Sequence, residues 1–233
     1  MPLNNRHLKL SFLASLITML SLTSQHTLAS NEAPWVGDTL TGAPCIGRPS
    51  GYGPYDYLQR NRLAKNLRLV EGAHFDRNVE ALTGGAKGKG KDPIPDLDYT
   101  LRAFPNHHRA LNTIIRHDLT KPKESYNKGA TPAECYLQRA INFSPKDAIS
   151  YMLYGILLHR TNNYVDALMQ YDTAKTLAPE NGQILYNLSL LLVDLERYEE
   201  ARSYAKKIYA RGFPLQGLKK QLQSAGYWDK PQK

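Results

Sequence analysis

The sequence is poor in the residues and runs from which metal centres, active sites and membrane spans are commonly built. It holds two cysteines, two tryptophans and four methionines in 233 residues. Cys45 and Cys135 stand far apart, so there is no paired-cysteine metal motif. Nor is there a serine nucleophile elbow or a recognisable catalytic triad, which removes the common hydrolase signatures. After the first thirty residues no apolar run is long enough to cross a bilayer. The expectation is a non-enzymatic chain with no catalytic residues, no metal ligands and no cofactor.

Residues 1–30 are set apart from the fold. MPLNNRHLK is a short basic head, LSFLASLITMLSL an apolar run, and SQHTLAS a small-residue cleavage region. This is the three-part pattern of a secretory signal peptide, with cleavage expected after Ala29 or Ser30. The alternative is an N-terminal membrane anchor. Export implies a periplasmic or secreted protein in an oxidising compartment, where an even cysteine count predicts a Cys45–Cys135 disulfide. Such a bridge closes a loop of about 90 residues and contributes roughly 4 to 5 kcal/mol in the chain-entropy model. The alternative is two unpaired, buried thiols.

The formal charge is +9, and it becomes +7 once Arg6 and Lys9 leave with the first thirty residues. The excess is not uniform. From Lys146 to Ala210 acids slightly outnumber bases, while RNRLAKNLR, KGKGK and the lysine-bearing tail carry the surplus. A basic balance favours acidic partners, here an anionic membrane surface or an acidic glycan. An exported chain rarely meets nucleic acid, so none is expected. The alternative is a solvated surface that keeps the protein soluble.

Three stretches could carry chemistry. FPNHHRALNTIIRHDL holds His107, His108 and His117. On a helix His108 and His117 face opposite ways, about 13 Å apart along the axis, so no shared metal is expected. The histidines are read mostly as scaffold surface near a helix start. GGAKGKGKD, from Gly84, has the glycine spacing of a phosphate-binding loop. However, Asp92 stands where a hydroxyl belongs, and DPIP cannot open a helix in the right place. It is read as a flexible basic loop. His74, Asp76 and Glu80 could form an acid–base group only if something fixed their geometry.

Internal repetition organises the rest. Pro145 in NFSPKDA and Pro179 in TLAPENG are 34 residues apart. Between them, Tyr151, Tyr154, Gly155 and Leu158 mark one helical stripe, and Ala167, Tyr171 and Ala174 mark a second. The next segment repeats the layout with Leu185, Leu188, Ser189 and Leu192, then Ala201, Ala205 and Ile208. The period, the small Gly155 and Ser189, the small Ala167 and Ala201 and the closing proline resemble the tetratricopeptide repeat (TPR). Two departures are visible: Pro214 comes one residue late, and Ala205 stands where a larger aromatic is common. Reading backwards, TPAECYLQRAINFSP and LDYTLRAFPN look like earlier second helices, and FPNHHRAL is a seam between units. Pro105 to Pro145 is then a 34-residue unit with six residues inserted.

The resemblance implies an all-α fold, an antiparallel helix-pair superhelical stack. Residues 31–95 form an irregular, basic segment with one amphipathic helix carrying Leu63, Leu67 and Val70, read as packing on the stack. Residues 96–145 are divergent repeat-like helices, 146–214 two repeat units, and 215–233 a capping helix and tail. The whole pattern looks like a group of exported bacterial TPR proteins. In such folds the first helices line a concave groove for a protein or peptide partner. By alignment Met152, Ile156, His159 and Arg160 should face Tyr186, Asn187, Leu190 and Asp194. Alternatively Met152, Ile156 and Leu190 belong to the core, or the N-terminal segment lies in the groove. A second reading makes the repeats a frame, with the basic surface docking on acidic glycan or lipid headgroups.

Overall fold

The computed structural model describes residues 32–120 and 131–228, so the expected signal peptide lies outside the described residues. Among them ten α-helices follow in order: α1 (Ala64–His74), α2 (Arg77–Ala81), α3 (Ile94–Ala103), α4 (His108–Leu119), α5 (Ala133–Phe143), α6 (Ala148–Arg160), α7 (Tyr164–Leu177), α8 (Gly182–Asp194), α9 (Tyr198–Tyr209) and α10 (Gly217–Ser224). They form a helical-repeat stack of the expected class. α6 pairs with α7 and α8 with α9, while α4, α6, α8 and α10 lie side by side. α10 closes the far end by burying Leu218 and Leu222.

Helices of one pair meet where side chains are small. A Cβ on Gly155 would stand 2.8 Å from the ring of Tyr171, so the glycine is what admits this buried tyrosine. Thirty-four residues on, the sizes are exchanged. Ser189 replaces the glycine and Ala205 the tyrosine, and both are fully buried. Where Ala205 carries no ring, the position of Gly155 can hold a side chain, here Ser189, whose hydroxyl donates to Leu185 O at 2.7 Å.

The backbone carries the same period. Asn162 and Glu196, 34 residues apart, take left-handed φ values of +63° and +58° at the turn inside each pair. The next N–H then returns to a helical carbonyl, Asn163 to Leu158 and Arg197 to Leu192, each at 2.8 Å. This is the usual way a left-handed residue closes a helix. Between units the chain turns through Phe104–His107, Ser144–Asp147 and Ala178–Asn181, with proline second each time. The fourth N–H bonds the first carbonyl at 3.0, 3.0 and 3.1 Å respectively. The fourth side chain then caps the next helix. Proline pre-sets the φ that the second turn position needs.

These seams correct the reading of the histidines as scaffold surface. His107 is fully buried. Its Nδ1 accepts the Ala110 N–H at 3.2 Å, capping α4, so Nε2 carries the proton and donates to Glu71 Oε1 at 3.0 Å. His108 Nε2 meets the buried Asp147 carboxylate at 2.8 Å, and His117 Nδ1 meets Asp118 at 3.0 Å. A helix cap and a seam strut require the ring to be inside, which helical spacing alone does not reveal.

The segment before α1 is strapped down. The Cys45–Cys135 disulfide is formed, with Cα atoms 5.3 Å apart. Beside it Arg139 of α5 is fully buried. It donates to Ala33 O at 2.6 Å, Leu101 O at 2.8 Å and Ser50 Oγ at 2.7 Å, and its guanidinium stands 4.8 Å over the Trp35 ring. Burial pushes this guanidinium down to about 10. Three oxygens and a π face replace the water it has lost. α1 also belongs to the body of the fold. Val70 is buried, and Leu63 and Leu67 pack with it against Tyr57, Ala103 and Phe104.

Two outcomes follow from this packing. Gly155→Ser should destabilise by about 1–3 kcal/mol through overpacking, and Tyr171→Ala by about 3–5 kcal/mol. The double variant imitates the second unit and should lose at least about 1 kcal/mol less than the sum, measured as a denaturant double-mutant cycle. The second outcome concerns pH. Burial, with Arg109 and His108 nearby, holds His107 below the ordinary imidazole range, and the His107 hydrogen bond holds Glu71 below the carboxylate range. Both groups therefore bind protons more readily when unfolded. Stability should be full above about pH 6.5 and fall as the solution is acidified, first through His107 and then through Glu71. His107→Asn keeps a cap but cannot titrate, so its unfolding free energy should fall less than wild type between about pH 7.5 and 5. His107→Ala should lose about 1 kcal/mol more than His107→Asn at neutral pH.

Candidate functional site

The candidate groove is the side-by-side surface of the first helices α4, α6 and α8. Facing residues on α6 and α8 do meet across it. His159 Nε2 is 2.7 Å from Asp194 Oδ2, and Asn187 Nδ2 lies 3.7 Å from Met152 Sδ. The same amide donates to Gln183 O at 2.8 Å, which fixes its orientation. The His159 ring is held edge-on by Tyr164 and Tyr171, with centroids 5.7 and 6.5 Å away. The two helices are thus tied at both ends of the candidate strip.

Not all of the expected residues are available to a partner. Met152 and Tyr186 are only 5% and 8% exposed and form the floor. Tyr186 packs against Phe213 at 5.1 Å, and its hydroxyl would lie 2.9 Å from a Cβ on Gly217, the first residue of α10. What remains open is a strip of Ile156, Asn187 and Leu190, all half-buried, flanked by the exposed Arg160 and Asp194. Its character is apolar in the middle and charged at one end.

At α4 the same surface is already occupied. Arg109 and Arg116 correspond to Ile149 and Ile156 across the 40-residue unit. Arg109 Nε donates to Glu80 Oε1 at 2.8 Å, and Arg116 Nη2 donates to Glu80 O. Glu80 belongs to α2, so this short helix sits on the α4 part of the groove and restricts the open strip to α6 and α8. The sequence reading did not foresee α2. Its signal, in retrospect, is Asp76, which accepts from the N–H groups of Asn78 and Val79 as a helix cap.

The other candidate chemistry is dispersed. His74 Nδ1 pairs with Asp96 Oδ1 at 2.7 Å and stacks on Tyr99 at 3.9 Å, while Asp76 caps α2 and Glu80 serves the arginines. The glycine-rich loop is clamped, not flexible. Its Ala86 N–H goes to Asp96 Oδ2 at 2.8 Å and its Lys87 N–H to Asp76 Oδ2 at 2.7 Å. Those backbone donors, which a phosphate would need, are taken by carboxylates of the chain itself. No group of three potential metal ligands gathers among the described residues.

No family model matches the chain. Among curated proteins it is similar to Superkiller protein 3 of Schizosaccharomyces pombe (strain 972 / ATCC 24843), a TPR-containing protein, with 28% identity over 109 residues. The match covers 47% of this chain and 7% of that protein's length. With the helix pairs, this similarity fits a TPR-like protein and suggests a protein-interaction scaffold.

Proposed function

We propose that the chain is an exported, non-enzymatic adaptor that holds an extended or helical segment of a protein partner at the cell envelope. The segment lies along the strip between α6 and α8. The observation that carries this reading is the strip itself. Ile156 and Leu190 remain half-exposed on rigid helices, while His159–Asp194 and the Met152–Asn187 contact keep those helices in register. Recognition of this kind uses an apolar anchor seated between helices with a few polar groups fixing its direction. Arg160 and Asp194 at the same end would orient the partner's polar groups, leaving the anchor to Ile156 and Leu190.

The test is to substitute the half-exposed residues and leave the floor intact. Ile156→Glu and Leu190→Lys should leave thermal unfolding close to wild type. Each should weaken capture of a cross-linked envelope partner by at least about tenfold, as for an interfacial anchor. Binding by the groove should also change little between low and high salt, because apolar contact is not screened. Partner capture that is unaffected by both substitutions, in folded protein, would remove the groove from the function.

A further inference from the structure

Charge between Arg60 and Lys91 is one-sided in a way that net charge does not reveal. The acids of this stretch are half-buried and all engaged by groups of the chain itself. Glu71 bonds His107 and lies 3.6 Å from Arg109, Asp76 caps α2 and takes the Lys87 N–H, and Glu80 holds Arg109. The cations of the same stretch are Arg60, Arg62, Lys65, Arg68, Arg77, Lys87, Lys89 and Lys91, all exposed. The ion pairs made by Lys and Arg among the described residues involve other side chains; of these cations, Arg62 donates to Gln59, Arg60 lies 5.3 Å over the Tyr57 ring and Lys87 stands near Asp76.

Their arrangement on α1 is directional. Leu63, Leu67 and Val70 turn inward onto Tyr57, Ala103 and Phe104. At about 100° per residue, Lys65 and Arg68 then fall on the outward side, with Arg62 exposed in the turn that leads into the helix. Leu69 falls on the same side and is 57% exposed, and Leu58, in the turn that leads into α1, is 44% exposed. The clamped loop with Lys87, Lys89 and Lys91 is anchored by Asp96, which also holds His74 at the end of α1. The outward face is therefore a row of cations with two exposed leucines beside it.

We propose that this face of α1 docks on the anionic phospholipid headgroups of a bilayer, with Leu58 and Leu69 entering the interface. The cations alone would suit any polyanion. The leucines decide for lipid, since a hydrated glycan offers apolar side chains no place to bury, whereas the headgroup–acyl boundary does. No described helix is long and apolar enough to cross a membrane. The inference goes beyond the groove reading and uses none of its residues. It would leave the α6–α8 strip free to hold a partner at the membrane surface.

The experiment measures the full chain's partition onto vesicles of phosphatidylcholine alone and of phosphatidylcholine with phosphatidylglycerol in equal parts. The readout is the anionic-to-neutral ratio, so uptake through the apolar run near the N-terminus contributes to both arms. Wild type should favour the anionic vesicles, and the preference should shrink at high salt. Because each cation near an anionic surface strengthens binding roughly fivefold, R62Q/K65Q/R68Q should lower the ratio by about 100-fold. L58S/L69S should weaken binding to anionic vesicles while keeping its salt dependence. These side chains are exposed, so unchanged thermal midpoints should accompany both results. A ratio unaltered in the triple variant would overturn the proposal. So would retention on an immobilised sulfated glycan without any preference for anionic vesicles.

Discussion

The buried carboxylate of Asp147 is the point on which the first half of the structure turns. One oxygen accepts the Ile149 N–H at 3.1 Å and so opens α6, while the other takes Ser150 Oγ at 3.0 Å. The same carboxylate receives His108 Nε2 at 2.8 Å and Asn106 Nδ2 at 3.0 Å from the preceding seam. Burial alone would raise this carboxyl, but the hydrogen bonds from His108, Asn106 and Ser150 outweigh it and hold it below the ordinary range. Asn106 passes the connection on, donating to Asp56 Oδ1 at 2.7 Å and accepting the Tyr57 N–H at 2.8 Å. A single polar chain therefore links the turn before α1, the seam before α4 and the seam before α6. An unpaired member of such a network would cost more than its bond is worth, which fixes the relative placement of three segments that apolar packing would leave free to slide.

The two regular units downstream have no comparable buried carboxylate at their seam. Asn181 caps α8 with a neutral amide, and Glu180 beside it pairs outside with Lys207 and Arg211. There the register is set by size, Gly155 with Tyr171 and Ser189 with Ala205. The molecule thus uses polar specification where the repeat is irregular and steric specification where it is regular. The N-terminal segment needs a third device, since it has little helix of its own to pack before α1. The disulfide and the buried Arg139 supply it, one covalently and one by gathering two carbonyl oxygens, a hydroxyl and an indole at a single guanidinium.

This division explains what could be read from sequence. The helix pairs of α6 to α9 were legible because the 34-residue period shows itself in small residues, prolines and apolar stripes at once. The Cys45–Cys135 pairing was legible from count and expected compartment. The burial of His107 and the seat of the half-buried His108 on Asp147 were not. A histidine that caps a helix and one that lies on the surface share the same spacing, and only the distant partners Glu71 and Asp147 separate them. Arg139 was missed for the same reason, because its ligands come from residues 33, 50 and 101, far away along the chain. On the groove strip, two pairs expected from spacing meet, His159 with Asp194 and Met152 with Asn187. Spacing could not say that Tyr186 would sink into the floor, since Phe213 and the start of α10 pack against it.

Both proposed surfaces trace to one irregularity, the α2 insertion between α1 and α3. Docking of α2 on α4 draws Glu80 to Arg109 and Arg116, and the loop that follows draws its backbone onto Asp76 and Asp96. The first contact covers the α4 level of the groove and leaves α6 and α8 as its open part. The same contacts engage Glu80, Asp76 and Asp96 within the fold, while the cations of α1 make no ion pair among the described residues. α2 thus covers one level of the groove beside the basic face of α1, and the two surfaces must differ in their response to salt because one is screened and the other is not.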